Sequence, residues 1–123
     1  MTFATDLQRI AASNGDRLEN WAREVKIELF SSVVELTRVD TGRLRGNWQI
    51  QENTPARGTL NRLDPTGIKV KAEIINGSTP VGLTYFANNL PYAMTWEKHD
   101  AMVGRSVARV RRKVRDIARA LNK

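Results

Sequence analysis

Ile68-Lys69-Val70-Lys71-Ala72-Glu73-Ile74 alternates apolar with charged or small residues over seven positions, and its reading decides the fold. A period of two is the pattern of a strand with one face on a core and the other in water, so this segment predicts a strand. Asn76-Gly77 turns the chain after it, with Ser78-Thr79-Pro80 lengthening the loop beyond a tight hairpin. Residues 81–88 predict a following strand with Leu83, Tyr85 and Ala87 on one face, ended by Pro91. Upstream, residues 45–52 predict another, with Trp48 and Ile50 alternating with Asn47, Gln49 and Gln51. A small antiparallel sheet of three to four strands follows. Residues 53–66 hold two prolines, a glycine and only two leucines, and predict an exposed loop.

Helices flank this sheet in the sequence. Over residues 6–37, Leu7, Ala11, Leu18, Ala22, Val25, Leu29, Val33 and Leu36 recur at helical steps. At 100° per residue they fall in one stripe about 80° wide, which predicts one long N-terminal helix. Ser13, Asn14-Gly15 and Asp16 mark a place for a kink, but the stripe stays in phase across it. Ile27, Phe30 and Val34 lie about 120° to 180° from that stripe, where a solvated face is polar, so something must cover them. Either the rest of the domain or a second subunit can do so, and the three are taken as a candidate subunit interface. Tyr92 to Met102 is irregular, with Met94 and Trp96 as candidates for burial. Residues 104–123 predict a basic amphipathic C-terminal helix, whose seam is Val107, Val110, Val114, Ile117 and Leu121. Arg105, Arg112 and Arg119 stand opposite that seam at heptad spacing, widened by Arg109, Arg115 and Lys123. The expected class is α+β.

The chain of 123 residues suits a single domain, 1–123, large enough for a core that needs no metal or disulfide staple. It has no cysteine, which removes disulfides, thiolate nucleophiles and cysteine-based zinc sites. The first residues carry no apolar block, and the longest runs without a charge contain Gly, Asn, Ser or Pro, so no signal peptide or membrane span is expected and synthesis is assigned to the cytoplasm. The whole net charge of +7 comes from the segment after Val103, with eight basic residues against one acid, Asp116; the preceding residues balance. That asymmetry predicts an acidic partner or nucleic acid.

Phosphate-cradling glycine loops, nucleophile elbows and paired-histidine spacings do not occur. Glu97, His99 and Asp100 are the one cluster that imitates a site, and they read as a solvated helix start with a surface ion pair. Asp40 and Thr41 read as turn and capping groups. Trp21, Trp48, Trp96, Tyr85, Tyr92 and Phe86 all precede the basic run, so they read as core and not as stacking platforms for bases. No catalytic residue, metal ligand or cofactor is expected.

Two segments carry a resemblance. Val39-Asp40-Thr41-Gly42-Arg43-Leu44-Arg45-Gly46-Asn47-Trp48 is similar to the turn-to-strand motif of phage neck and tail-completion proteins of the lambda minor tail protein Z type. Asn88-Asn89-Leu90-Pro91-Tyr92-Ala93, followed by Trp96-Glu97, resembles a second motif of that family, and residues 101–107 resemble the opening of its last helix. The chain departs from the pattern where Glu97 runs through Lys98-His99-Asp100 straight to Ala101, without the family's Gly-Ser-rich loop. The resemblance implies a virion structural protein that forms a cyclic ring, hexameric in the family's manner, and helps join tail to head. Its implied partners are further copies of itself and neighbouring neck proteins such as a tail terminator or head-closure protein, with non-specific DNA contact in the channel. On this reading the arginine row meets an acidic face of an adjacent ring, because a channel must let DNA slide. The alternative is a small DNA-binding or architectural protein that applies the same helix to phosphates.

Overall fold

The computed structural model describes residues 18–79 and 82–120. Its first helix, α1 (Leu18–Leu36), is the centre of the fold. Trp21, Val25 and Leu29 on one side meet Val110, Val114 and Ala118 of the last helix, α5 (Met102–Ala120). Phe30, Val33 and Val34 on the other side join Trp48, Val70, Ile74 and Met102 in the main core. A helix enclosed on two sides is apolar on two sides, which explains the off-stripe residues. Val34 is fully buried, Phe30 is 9% exposed and Ile27 packs against the same core. The subunit interface expected at Ile27, Phe30 and Val34 is therefore corrected: their own chain covers them. The half of the predicted long helix before Leu18, with its possible kink, lies outside the described residues.

After α1 come a short helical turn, α2 (Arg43–Gly46), and strand β1 (Trp48–Glu52). β1 pairs antiparallel with β2 (Thr84–Asn88), in a register that sets Trp48 opposite Asn88 and Ile50 opposite Phe86. Among the described residues the sheet has these two strands, not three or four. The mixed helix-and-sheet class holds.

The missing strand is the opening segment. Residues Ile68–Gly77 form helix α3, not a strand. Of the alternating apolar residues, only Val70 and Ile74 are buried, and they are one helical turn apart; Ile68 is 70% exposed and Ala72 is also on the surface. Any period-two row contains an i, i+4 pair, so the alternation fits a one-sided helix equally well. What selects the helix is a cap. The carboxylate of buried Asp64 accepts hydrogen bonds from the amides of Val70 (2.9 Å) and Lys69 (3.3 Å), satisfying donors that a first helical turn leaves open.

The strand face expected around Leu83, Tyr85 and Ala87 is also reversed. Phe86 points to the core, its ring stacked between Phe30 (4.7 Å) and Trp48 (4.8 Å), whereas Leu83 is 59% exposed. Trp48 and Ile50 face inward as expected, with Trp48 5% exposed. Residues 93–100, expected to be irregular, form helix α4 (Ala93–Asp100), in which Ala93 is buried, Trp96 is half-buried and Met94 is exposed. The 53–66 loop is mostly exposed, but Asp64 lies inside and Leu60 and Arg62 are half-buried. Among the described residues, no helix is long and apolar enough to cross a membrane.

Candidate functional site

The segment 39–48 makes the corner between α1 and β1, and Thr41, Arg45 and Asn47 hold the turn with their side chains. Gly42 sits at φ 91°, a left-handed conformation, and a Cβ there would lie 2.5 Å from the Pro65 nitrogen. A Cβ on Gly46 would overlap the Arg62 carbonyl. These two glycines let the 60–65 strand of loop pass directly against the corner, where the Asp64 amide donates to the Gly42 carbonyl (2.9 Å). Buried Asn47 donates to the Arg43 carbonyl (2.8 Å) and accepts from the Leu60 amide (2.7 Å). Thr41 Oγ1 accepts from the Arg43 amide, in the capping role expected of it.

Two arginines complete the corner. Arg45 donates to the carbonyls of Glu35 (3.0 Å), Thr37 (2.9 Å) and Pro65 (2.8 Å), so its guanidinium closes the C-terminal end of α1, where helix carbonyls lack partners and the macrodipole favours a cation. Arg62 reaches the Gly46 carbonyl (2.7 Å) and forms an ion pair with Glu73 (2.8 Å). Sequence reasoning assigned neither residue a role; the signal was an arginine beside each glycine-bearing turn.

The second segment, 88–97, docks on the first. Asn88 donates to the Leu44 carbonyl (2.8 Å), and Leu44, Leu90 and Ala93 form a small apolar cluster. Asn89 donates to the carbonyls of Ala56 and Gly58 across the loop. Where the two segments meet there is a cleft of about 420 Å³, lined by Arg38, Val39, Asp40, Thr41, Leu44, Tyr92 and Trp96. Val39 and Tyr92 are exposed at it. The Arg38 guanidinium lies 3.6 Å over the Trp96 ring and is held there by two 2.7 Å hydrogen bonds to Asp100. Those bonds keep the Asp100 carboxyl below its ordinary range and raise Arg38 further.

Glu97, His99 and Asp100 thus have assigned work. Glu97 accepts from the amides of Val103 (2.8 Å) and Gly104 (3.2 Å) and caps α5, while Ala101 turns the chain at φ 50°. Asp100 binds Arg38, and His99, largely in solvent, stands 3.5 Å from Asp100. The ion pair that the sequence suggested is present, between Asp100 and Arg38, but the three residues form the last turn of α4 and not a solvated helix start, with Glu97 and Asp100 half-buried. Among the described residues no group of three or more potential ligands is placed to hold a metal.

On α5 the buried row is Met102, Ser106, Val110, Val114 and Ala118, with Val107 and Ile117 half-buried; Leu121 lies outside the described residues. Ser106 Oγ and Ser32 Oγ meet at 2.9 Å, small side chains that bring α5 close to α1. Arg105, Arg109, Arg112, Arg115 and Arg119 are all exposed on the opposite face, as their spacing predicts; Lys123 lies outside the described residues. Lys113, on the flank, pairs with Glu28 of α1 (2.7 Å). No family model matches the chain, and no curated protein or solved structure is significantly similar to it.

Proposed function

We propose that the protein is a structural component of a tailed-phage virion, in the neck or tail-completion position, where a ring of its copies helps join tail to head. The observation that carries this reading is where the two resembling segments act. Gly42, Gly46, Asn47 and Trp48 of the first and Asn88, Leu90 and Ala93 of the second are the residues on which one corner of the fold depends, and they meet in space although 40 positions separate them in sequence. Two of the three resembling segments meet at one corner and the third, residues 101–107, opens the last helix, which supports a shared architecture. The polar groups of the site are engaged in caps and turns, which suits a protein whose task is assembly. The exposed Val39 and Tyr92 at the cleft are available for a neighbouring subunit in place of the half-buried Ile27 and the buried Phe30 and Val34.

The test is an amber codon in this gene within a phage that carries it, with particles viewed by negative-stain electron microscopy. Filled heads and separate tails are expected, with joining restored by the gene supplied in trans. Joined, infectious particles at the normal yield would overturn the reading.

A further inference from the structure

The fold employs its cations where it can. Arg23 of α1 closes the end of α3 through the carbonyls of Ile75 (2.7 Å) and Ser78 (3.0 Å). Lys26 holds the carbonyls of Thr79 and Gly82, and Arg38, Arg45, Arg62 and Lys71 each bind a carboxylate or a carbonyl. Against this background, α5 is anomalous. Among the described residues, nothing partners Arg105, Arg112, Arg115 or Arg119, and Arg109 reaches only Ser32 Oγ (3.2 Å). Of the α1 acids, Glu28 is engaged by Lys113 on the flank and Glu35 by Lys71.

The arrangement of these arginines is regular. At 100° per residue, all five fall within an arc about 120° wide, and the only other residues in that arc are Ala108 and Asp116. From Arg105 to Arg119 the row extends about 21 Å at 1.5 Å per residue. The face has no aromatic or aliphatic centre. Protein partners dock around buried apolar and aromatic anchors inside a polar rim, and this face offers only the rim. It also has no asparagine or glutamine to read an adenine edge. What matches a 21 Å line of guanidiniums with no anchor is a regular line of phosphates: duplex DNA carries one charge per about 1.7 Å, so about 12 phosphates lie within that span. Guanidinium, with its planar fork of donors, is the cation best shaped for phosphate oxygens.

We infer that the arginine face of α5 binds the backbone of duplex DNA without regard to sequence. The contact is made by exposed charges alone, so salt screens it and it lets the duplex slide, which removes the objection that a DNA-lined passage must not grip. The inference stands on the α5 face and does not depend on the neck position.

The experiment is fluorescence anisotropy of a labelled 30-base-pair duplex of arbitrary sequence, titrated with the full chain between 50 and 200 mM salt. With about five phosphate contacts the log–log slope is about −4.5, a loss of about 500-fold across that range. A second duplex of unrelated sequence binds equally. Arg112→Glu with Arg119→Glu lowers the slope to about −3 and weakens binding at least tenfold at 100 mM salt, while Lys113→Gln changes affinity less than threefold. Circular dichroism confirms that the double variant is folded; should it not be, Arg112→Gln with Arg119→Gln serves instead, because it adds no charge beside Asp116. Absence of duplex binding, or a slope that the double substitution leaves unchanged, overturns the inference. Tighter binding to poly-glutamate than to the duplex overturns it in favour of an acidic protein partner. The joining defect of the amber phage is a separate readout, so either result can fail alone.

Discussion

Replacing Trp48 tests the core and a buried polar link within it together. The indole is 5% exposed, stacks 4.8 Å from Phe86 and donates from Nε1 to Thr37 Oγ1 at 2.9 Å. Thr37 is itself fully buried and passes its own hydroxyl proton to the Val33 carbonyl (2.6 Å). Truncation of a buried tryptophan to alanine costs about 3 to 5 kcal/mol, the transfer term plus the cavity left beside Phe30 and Phe86. For a chain of this length that is a fall in melting temperature of about 12 to 20 °C. Trp48→Phe keeps a ring in the stack but removes the donor, and costs about 1 to 2 kcal/mol. Thr37→Val leaves the indole N–H buried without an acceptor, a loss of about 1 to 3 kcal/mol. Because each single change strands or removes the same bond, the double variant should be more stable than the sum of the two by about 1 to 2 kcal/mol. Urea denaturation of the four proteins, followed by circular dichroism, measures that coupling. Effects that add to within about 0.3 kcal/mol would show that the bond contributes nothing. A Trp48→Ala protein melting within two degrees or so of the parent would refute its place in the core.

Arg45→Ala should lower stability by about 2 kcal/mol in urea melts, since it uncovers the last carbonyls of α1, and Arg45→Lys should recover less than half because one ammonium cannot reach three carbonyls in a fork. Asp64→Ala should cost about 1 to 2 kcal/mol and speed amide hydrogen exchange specifically at Lys69 and Val70, the two donors it caps. Phe30→Asp should leave the chain unfolded by circular dichroism at every protein concentration, as burial in its own core requires; a folded variant that merely loses self-association would restore the interface reading. The Arg38–Asp100 pair predicts a pH effect of definite sign. Because the folded state holds the Asp100 carboxyl below its ordinary value of about 3.9, the pair stabilises the fold above that pH and its contribution fades as pH falls through the depressed value. The stability gap between the parent and Arg38→Met should therefore be constant from pH 5 to 7 and close below about pH 3.5; a gap that widens on acidification would contradict the pairing.

How much was legible in the sequence depends on whether a residue's role is set by its near neighbours. The α5 arginine face follows from helical spacing alone and stands where spacing puts it, whereas the seam keeps Val110 and Val114 but turns toward Ser106 and Ala118, leaving Val107 and Ile117 half-buried. Trp48 and Ile50 were readable because a short strand beside a turn has one inward face. The segment from Ile68 to Ile74 was not, because seven alternating residues satisfy a strand and a one-sided helix alike, and the deciding cap, Asp64, lies before a glycine outside the pattern. Phe86 was read as core and is, but the strand face was set on Leu83, Tyr85 and Ala87, because the face is chosen by Phe30 and Trp48, both remote in sequence. Phe30 and Val34 were visible as apolar residues needing cover, and what covers them is a matter of topology that periodicity does not encode. The corner residues Gly42, Gly46 and Asn47 could be quoted as a motif, but their work of admitting the 60–65 segment shows only when that segment is in place.

The pairing of α1 with α5 has a consequence for how the chain is made. Lys113 meets Glu28 across 85 positions, and Val110 and Val114 cover Trp21 and Val25 over a similar separation. At translation rates of about 5 to 20 residues per second, α1 emerges about 4 to 17 seconds before the helix that shields it. During that interval Trp21, Val25 and Leu29 have no native neighbour, and the strand pairing of Trp48 with Asn88 must also await a distant segment. Folding of this chain is thus gated by the arrival of its last described helix, and a nascent chain stalled after Asp100 is the species on which a chaperone or protease would act first.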